Sequence, residues 1–122
     1  MSTESALPRN FLRPCVLLLL RESSAHGYDL VERLRAFGFS GDDPGRLYRT
    51  LRALEGEGLV HSAWEHSDQG PDRRIYGLTS AGMEALHAFV PALGETARVI
   101  DIFMSRYAEF VALGSESSVP VR

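Results

Sequence analysis

Apolar positions recur every three or four residues along most of this chain, with one interruption near its middle. The run Val16–Leu20 sits in a segment, 14–21, that is apolar on nearly every side. That pattern predicts a short buried helix, with Pro14 tolerated in its first turn. Ser23, Ser24 and Ala25 break it. A second helix is expected over 26–37. At ~100° per residue, Leu30, Leu34 and Phe37 share one face of it and Asp29, Glu32 and Arg33 point elsewhere. Gly38 and Gly41 flank the next loop.

A third helix has the clearest start signal: Asp43 can cap it and Pro44 suits its first position. It is expected to reach about Glu55 and stop at Gly56 or Gly58, with Leu47, Leu51 and Leu54 as its apolar stripe. The period then changes. Residues 59–66 (LVHSAWEH) and 73–78 (RRIYGL) alternate as short strands do, joined by the turn-rich six-residue tip 67–72 (SDQGPD). Thr79 caps a last helix. Three helices, a hairpin and a helix form a mainly α fold with a small β-hairpin. This is a winged helix-turn-helix over 9–79, with its second helix of the pair placed for a DNA major groove. A long C-terminal helix follows at 80–113, and residues 1–8 and 114–122 read as loose ends.

The last helix carries a second pattern. Leu86, Val90, Leu93, Ala97, Ile100, Met104, Tyr107 and Val111 are spaced by 4, 3, 4, 3, 4, 3 and 4 residues, an unbroken heptad seam. Phe89, Phe103 and Phe110 widen it beyond what a small domain would cover, so the seam is read as a dimer interface. A helix folded back on its own core is the simpler alternative. Pro91 lies within it and predicts a kink or a break. Phe89, Phe103, Met104 and Tyr107 would give a cavity at such an interface an apolar wall with one polar tip, suited to a small apolar or aromatic effector.

Composition sharpens the reading in one respect. The chain has 122 residues, enough for one domain, and a net charge of −3, which does not announce a nucleic-acid partner. Yet every one of the 13 basic residues is arginine, and ten of them precede residue 79. On the third helix Arg46, Arg49 and Arg52 share the side opposite the leucines with Gly45 and Ala53, and no acid lies between Arg46 and Leu54. Small residues let a helix approach a groove, and arginine forks match phosphate and the guanine O6/N7 edge. Tyr48 and Thr50 border that face. In the wing, Arg73 and Arg74 point to alternate faces, so one reaches outward, partly offset by Asp68 and Asp72. Tyr28, off the apolar face of the second helix, is placed either to donate to a phosphate or to pack against a neighbouring helix. Trp64 is read as the anchor of the wing on the core, against Tyr76.

Enzyme chemistry finds no footing. His26, His61, His66 and His87 have no metal-ligand spacing, and no nucleophile triad, phosphate loop or carboxylate pair is present. No cofactor and no metal are expected. Cys15 alone cannot form an internal disulfide and reads as a buried thiol. There is no secretory leader and no membrane-length apolar run, so a cytoplasmic protein is expected.

The chain resembles the PadR family of transcriptional regulators. The resemblance lies in LRPCVLLLLRESSAHGYDLVERL, PGRLYRTLRALEGEGLVHSAWE and GPDRRIYGLTSAGMEAL, together spanning about residues 12–86. The combination of HGY at the second helix, LY..L..LE..GLV in the third and GP.RR.Y.LT.AG leaving the wing is specific. The single last helix is similar to that of the compact subfamily. The resemblance implies a homodimeric repressor that sets residues 44–55 in a major groove and the 67–72 wing beside it. Its last helix would pair with its mate, and a small effector would release the DNA, an inverted repeat. Asp42 and Asp43 depart from the neutral residues common in relatives, and two carboxylates there would repel a phosphate from the helix N-terminus. A winged-helix module that binds protein rather than DNA is the competing class.

Overall fold

The computed structural model describes residues 7–114. Apart from residues 7, 8 and 114, the loose ends expected at 1–8 and 114–122 lie outside the described residues. Helix α1, Leu12–Glu22, buries seven of its eleven residues, with Val16 and Leu17 wholly inaccessible. Only Leu18 among its leucines of the central run reaches the surface. A helix apolar on this many sides has to sit in the middle of a core, and the other elements wrap it.

Cys15 is part of that core, 2% exposed, and burial pushes its thiol up to about 12. The folded thiol stays neutral where the unfolded one, near 9, ionises. Its contribution to stability is therefore complete below pH 9 and is lost as the pH climbs from there toward 12. Urea unfolding at pH 8 and pH 10.5 should show a larger alkaline loss for the native chain than for Cys15→Ala; equal losses would contradict it.

After α1 the chain forms strand β1, Ala25–His26, then helix α2, Gly27–Arg33, and a 3-10 turn, Leu34–Phe37. Two details differ from the periodicity reading. The two-residue strand was not visible as a pattern, and the single helix expected over 26–37 tightens in its last turn. Gly38, at φ 93°, ends the turn, and Phe39 N donates to Leu34 O at 3.3 Å. The tightening turns Phe39 into the core, where it stacks on Phe11 at 6.4 Å while Phe37 meets the same ring edge-on at 6.3 Å.

Helix α3, Pro44–Gly56, starts as expected: Asp43 accepts from the amide of Arg46 at 3.2 Å, and Pro44 opens the first turn. Leu47, Leu51 and Leu54 are buried. Its end is a Schellman closure. Gly58 is left-handed, its amide donates to Glu55 O, and the amide of Leu59 donates to Leu54 O at 2.9 Å. Arg13 also ties this end to α1, donating to Glu57 at 2.7 Å and holding that carboxyl below the usual range.

Strands β2, Val60–Glu65, and β3, Arg73–Leu78, pair antiparallel, and β1 adds to the other side of β3, giving the order β1-β3-β2. The wing is thus three-stranded, with His26 opposite Ile75 and Ala25 opposite Tyr76. β2 ends one residue before the expected His66, so the tip has seven residues between Glu65 and Arg73.

Helix α4, Ser80–Ala112, begins with Thr79 accepting from Gly82 N at 2.9 Å, the cap expected. Pro91 lies inside it and does not break it. His87, whose carbonyl loses its donor to Pro91, is exposed, so water can serve that carbonyl. The described residues fall into two units, divided between Phe89 and Val90. The first contains the whole winged domain and the first turns of α4, where Leu86 is buried at 9% and Phe89 packs on the core. Those two positions of the sequence-derived seam and cavity wall are thus spent on the domain itself. In the second unit Val90, Ile100, Met104 and Tyr107 are each more than half exposed in the single chain.

Candidate nucleic-acid interface

The leucine stripe of α3 fixes which of its sides is outside. Arg46, Arg49 and Arg52 are exposed on it, together with Ala53. Two of the three are positioned by neighbours. Arg46 lies over the ring of Phe39, 5.5 Å from its centroid, and Arg49 Nη2 is 3.7 Å from Asp43 Oδ2. Asp43 therefore acts twice, capping the helix and holding a guanidinium near its first turn. A carboxylate already occupies the place where a phosphate could meet the α3 amides, as the Asp42–Asp43 pair suggested. Thr50 is half-buried and donates its hydroxyl to Arg46 O at 2.9 Å, which ties it back along the helix.

Tyr48 is held differently. Its ring lies directly on Gly27, so close that a Cβ there would come within 2.5 to 2.7 Å of three ring atoms. The HGY turn at the start of α2 is thus cut to fit the aromatic ring of α3, and the two helices are locked at close range. Tyr28, the next residue, is 71% exposed. A hollow between α2, α3 and β3 gathers His26, Tyr28, Tyr48, Arg73, Arg74 and Tyr76 on its walls. Four of these, Tyr28, Tyr48, Arg73 and Arg74, were singled out in the sequence from separate segments, and the fold brings them together. Tyr76 is buried, which raises its hydroxyl above the ordinary phenol range.

His26 and Tyr76 were not anticipated as part of this surface. His26 Nε2 lies 2.8 Å from Glu65 Oε1 and Nδ1 3.3 Å from Asp29 Oδ2. The ring thereby links the outer end of β2 to the first turn of α2. Nothing in a linear pattern signals it, because the link depends on a two-residue strand.

The wing bears on two further expectations. Asp68 and Asp72, the acids near the wing arginines, make their contacts elsewhere. Both bracket His66, at 2.9 and 3.2 Å, and Asp72 also accepts from Ser67 N at 3.3 Å. Trp64 does not anchor the wing on the core. It is 67% exposed, and its partner across the strands is Arg74, whose guanidinium lies 5.0 Å from the indole centroid. β2 extends past the body of the domain, so a position on the core-facing side of the strand finds no core at its outer end.

On α4, the cavity residues separate. Phe103 and Tyr107 line a shallow apolar surface with Arg106 and Phe110. Met104 is 53% exposed, and Phe89 belongs to the winged domain. No helix among the described residues is long and apolar enough to cross a membrane. Among the described residues no group of three or more His, Cys, Asp or Glu could hold a metal ion.

Comparison with known proteins places this geometry. The model of the transcriptional regulator PadR-like family matches residues 16–88. Transcriptional regulator Rv3488 of Mycobacterium tuberculosis is 38% identical over 96 residues, covering 75% of this chain and 88% of that protein. Among solved structures, a PadR-like transcription factor from Bacteroides fragilis superposes with a TM-score of 0.64 at 27% identity, over 82% of this chain and 96% of the other. A PadR-like regulator from Bacillus cereus gives 0.66 at 27% identity, over 76% and 90%. The Bacillus subtilis PadR, solved in complex with operator DNA, gives 0.59 at 25% identity, over 65% of this chain and 46% of that one.

Proposed function

We propose a function from this premise: the chain belongs to the PadR-like family of transcriptional regulators. It is a homodimeric repressor that binds an inverted-repeat operator in double-stranded DNA and works where that DNA is, in the cytoplasm. The observation that carries the reading is the exposed side of α3, with Arg46, Arg49 and Arg52, no acid in the sequence between them and Asp43 reaching only Arg49 from the first turn, flanked by the hollow that collects Tyr28, Tyr48, Arg73 and Arg74. The neighbour from Bacillus subtilis, solved on its operator, supports it.

In this reading α3 enters the major groove. Arg49, central on the face, reads a base. Arg46, Arg52 and Thr50 line the groove, and Tyr28, Tyr48, Arg73 and Arg74 grip the backbone beside it. The dimer forms through Val90, Leu93, Ala97, Ile100, Met104, Tyr107 and Val111, so that two α3 helices reach half-sites about one helical turn apart. Phe103, Met104 and Tyr107, with Phe110, are the apolar surface for a small aromatic or apolar effector. An occupant there changes α3 spacing if it binds the two states unequally. The competing role, a protein-binding module, would want an exposed aromatic or apolar patch on this face. The wing offers one exposed aromatic, Trp64, and the α3 side beside it presents Arg46, Arg49 and Arg52 rather than apolar side chains, which favours DNA.

The test is operator affinity by anisotropy of labelled DNA taken from upstream of the protein's own gene, at several salt concentrations. Arg49→Ala should fold normally and lose about 1–3 kcal/mol of discrimination at one base pair. Arg73→Ala should weaken all duplexes alike and flatten the salt slope by about 0.9. An Arg49→Ala protein that binds the operator as tightly and selectively as the native one would remove α3 as the reader.

A further inference from the structure

Arg74 is held by two neighbours. Its Nε donates to Ser62 Oγ at 2.8 Å, and Ser62 Oγ in turn donates to Glu55 Oε2, on α3, at 2.7 Å. Its guanidinium carbon lies over the indole of Trp64, 5.0 Å from the ring centroid. No described residue accepts from its Nη groups. Val60, Ser62 and Trp64 alternate onto one side of β2, the side on which Ser62 meets α3. Trp64 and Arg74 are directly paired across the strands. The stacked pair therefore stands on the α3 side of the wing, beyond the end of the core, with the indole two-thirds exposed.

An exposed tryptophan on a polar hairpin does nothing for the core, and a long arginine on a bare strand would sample many rotamers. Here the indole and the Ser62–Glu55 chain remove that freedom and leave two Nη donors presented at a fixed distance from α3. Fixed donors suit a ligand of fixed geometry. The helix beside them is the proposed reader, so the ligand in reach is the deoxyribose-phosphate backbone bordering the groove that α3 enters.

We infer that Trp64 is a DNA-contacting platform that positions Arg74 on a backbone phosphate, its indole lying against the adjoining sugar. The inference rests on the DNA-binding reading and assigns Trp64, Ser62 and Glu55 parts in it. Trp64 and Arg74 meet the backbone; Ser62 and Glu55 act through Arg74 as positioning residues. Coupling the wing to α3 through Glu55 means the two DNA-contacting elements keep a common register.

Trp64 is the chain's one tryptophan, so its emission reports this site alone. In native protein titrated with operator DNA, the emission should quench or shift with the same midpoint as the anisotropy of labelled DNA. Trp64→Ala should lower operator affinity about 2- to 5-fold, the scale of an exposed cation–π pair. It should also flatten the salt slope by about 0.9, as Arg74→Ala does. Trp64→Phe should keep the slope. The double variant Trp64→Ala/Arg74→Ala should bind no worse than Trp64→Ala, because that change removes the sugar contact and, through the lost platform, the Arg74 phosphate contact as well. Ser62→Ala should fall between native and Arg74→Ala.

If anisotropy shows operator binding while the emission stays constant and Trp64→Ala keeps native affinity and slope, the inference is wrong and the DNA-binding reading stands. A Trp64→Ala loss that adds fully to that of Arg74→Ala removes the positioning role. If native protein binds no duplex, the DNA-binding reading fails and the inference goes with it.

Discussion

Ile100→Glu is expected to leave a folded monomer that has lost its operator. Ile100 is 54% exposed in the single chain, and Val90, Met104 and Tyr107 are exposed to the same degree along one heptad line. Apolar side chains at that spacing have no reason to face water in the working protein. The winged domain has its own core, running from Leu12 to Leu86, and none of it includes Ile100. A charge at position 100 would be buried without a partner in the dimer and cost several kcal/mol there. In the monomer it would cost nothing. Helix content by circular dichroism should stay near native, and light scattering should report one chain. Operator affinity should fall by roughly 100-fold or more, since a monomer loses the second half-site. Val90 to Val111 is not the interface if Ile100→Glu remains dimeric, and a native protein that is monomeric at micromolar concentration sinks the dimer altogether.

Gly82→Ala should be the most damaging single methyl in the winged domain. A Cβ at Gly82 would overlap the carbonyl oxygen of Leu59 and stand 2.6 Å from Leu78 Cδ1. Backbone cannot yield as a side-chain tip can. The same junction also holds three hydrogen bonds: Thr79 N to Leu59 O, Thr79 Oγ1 to Gly58 O, and Gly82 N to Thr79 Oγ1. Moving α4 away to admit the methyl strains all of them. In an open helix the same change would gain about 0.8–1 kcal/mol from helix propensity. Overpacking costs typically 1–3 kcal/mol, and the gain does not offset it. Gly94, with nothing within 4 Å of its would-be Cβ, is the control on the same helix. Urea midpoints should move down for Gly82→Ala and up for Gly94→Ala; both moving up would mean that α4 does not pack on Leu59 this tightly.

Much of this architecture is legible in the one-dimensional pattern, and the residues that escaped it share a cause. Asp43, Pro44 and the three leucines announce α3 because capping and a 3.6-residue period are local effects. The arginine side of α3 follows from the same angles. By contrast β1 is two residues long and exists only because β3 lies beside it. His26 reaches Glu65 only across that strand pairing, which a periodicity cannot encode. Trp64 went astray through the reach of β2. It lies on the same side of the strand as the buried Val60, but the strand outruns the core there and the residue opposite it is Arg74, with Tyr76 two places further in. Alternation gives the side a residue takes, and not how far the core extends beneath it.

The amino-acid order alone determined the helices, their caps, the buried stripe and exposed arginines of α3, and the heptad seam beyond Pro91. Each arises from residues within a turn or two of one another. Only the tertiary structure decided that Leu86 and Phe89 serve the domain and not the seam. It also decided that Gly27 and Gly82 are points of contact, and that three separated segments meet at one hollow. Those outcomes depend on distances between segments 20 to 50 residues apart in the chain. Such distances are set by how the core closes around α1, and no local preference carries them.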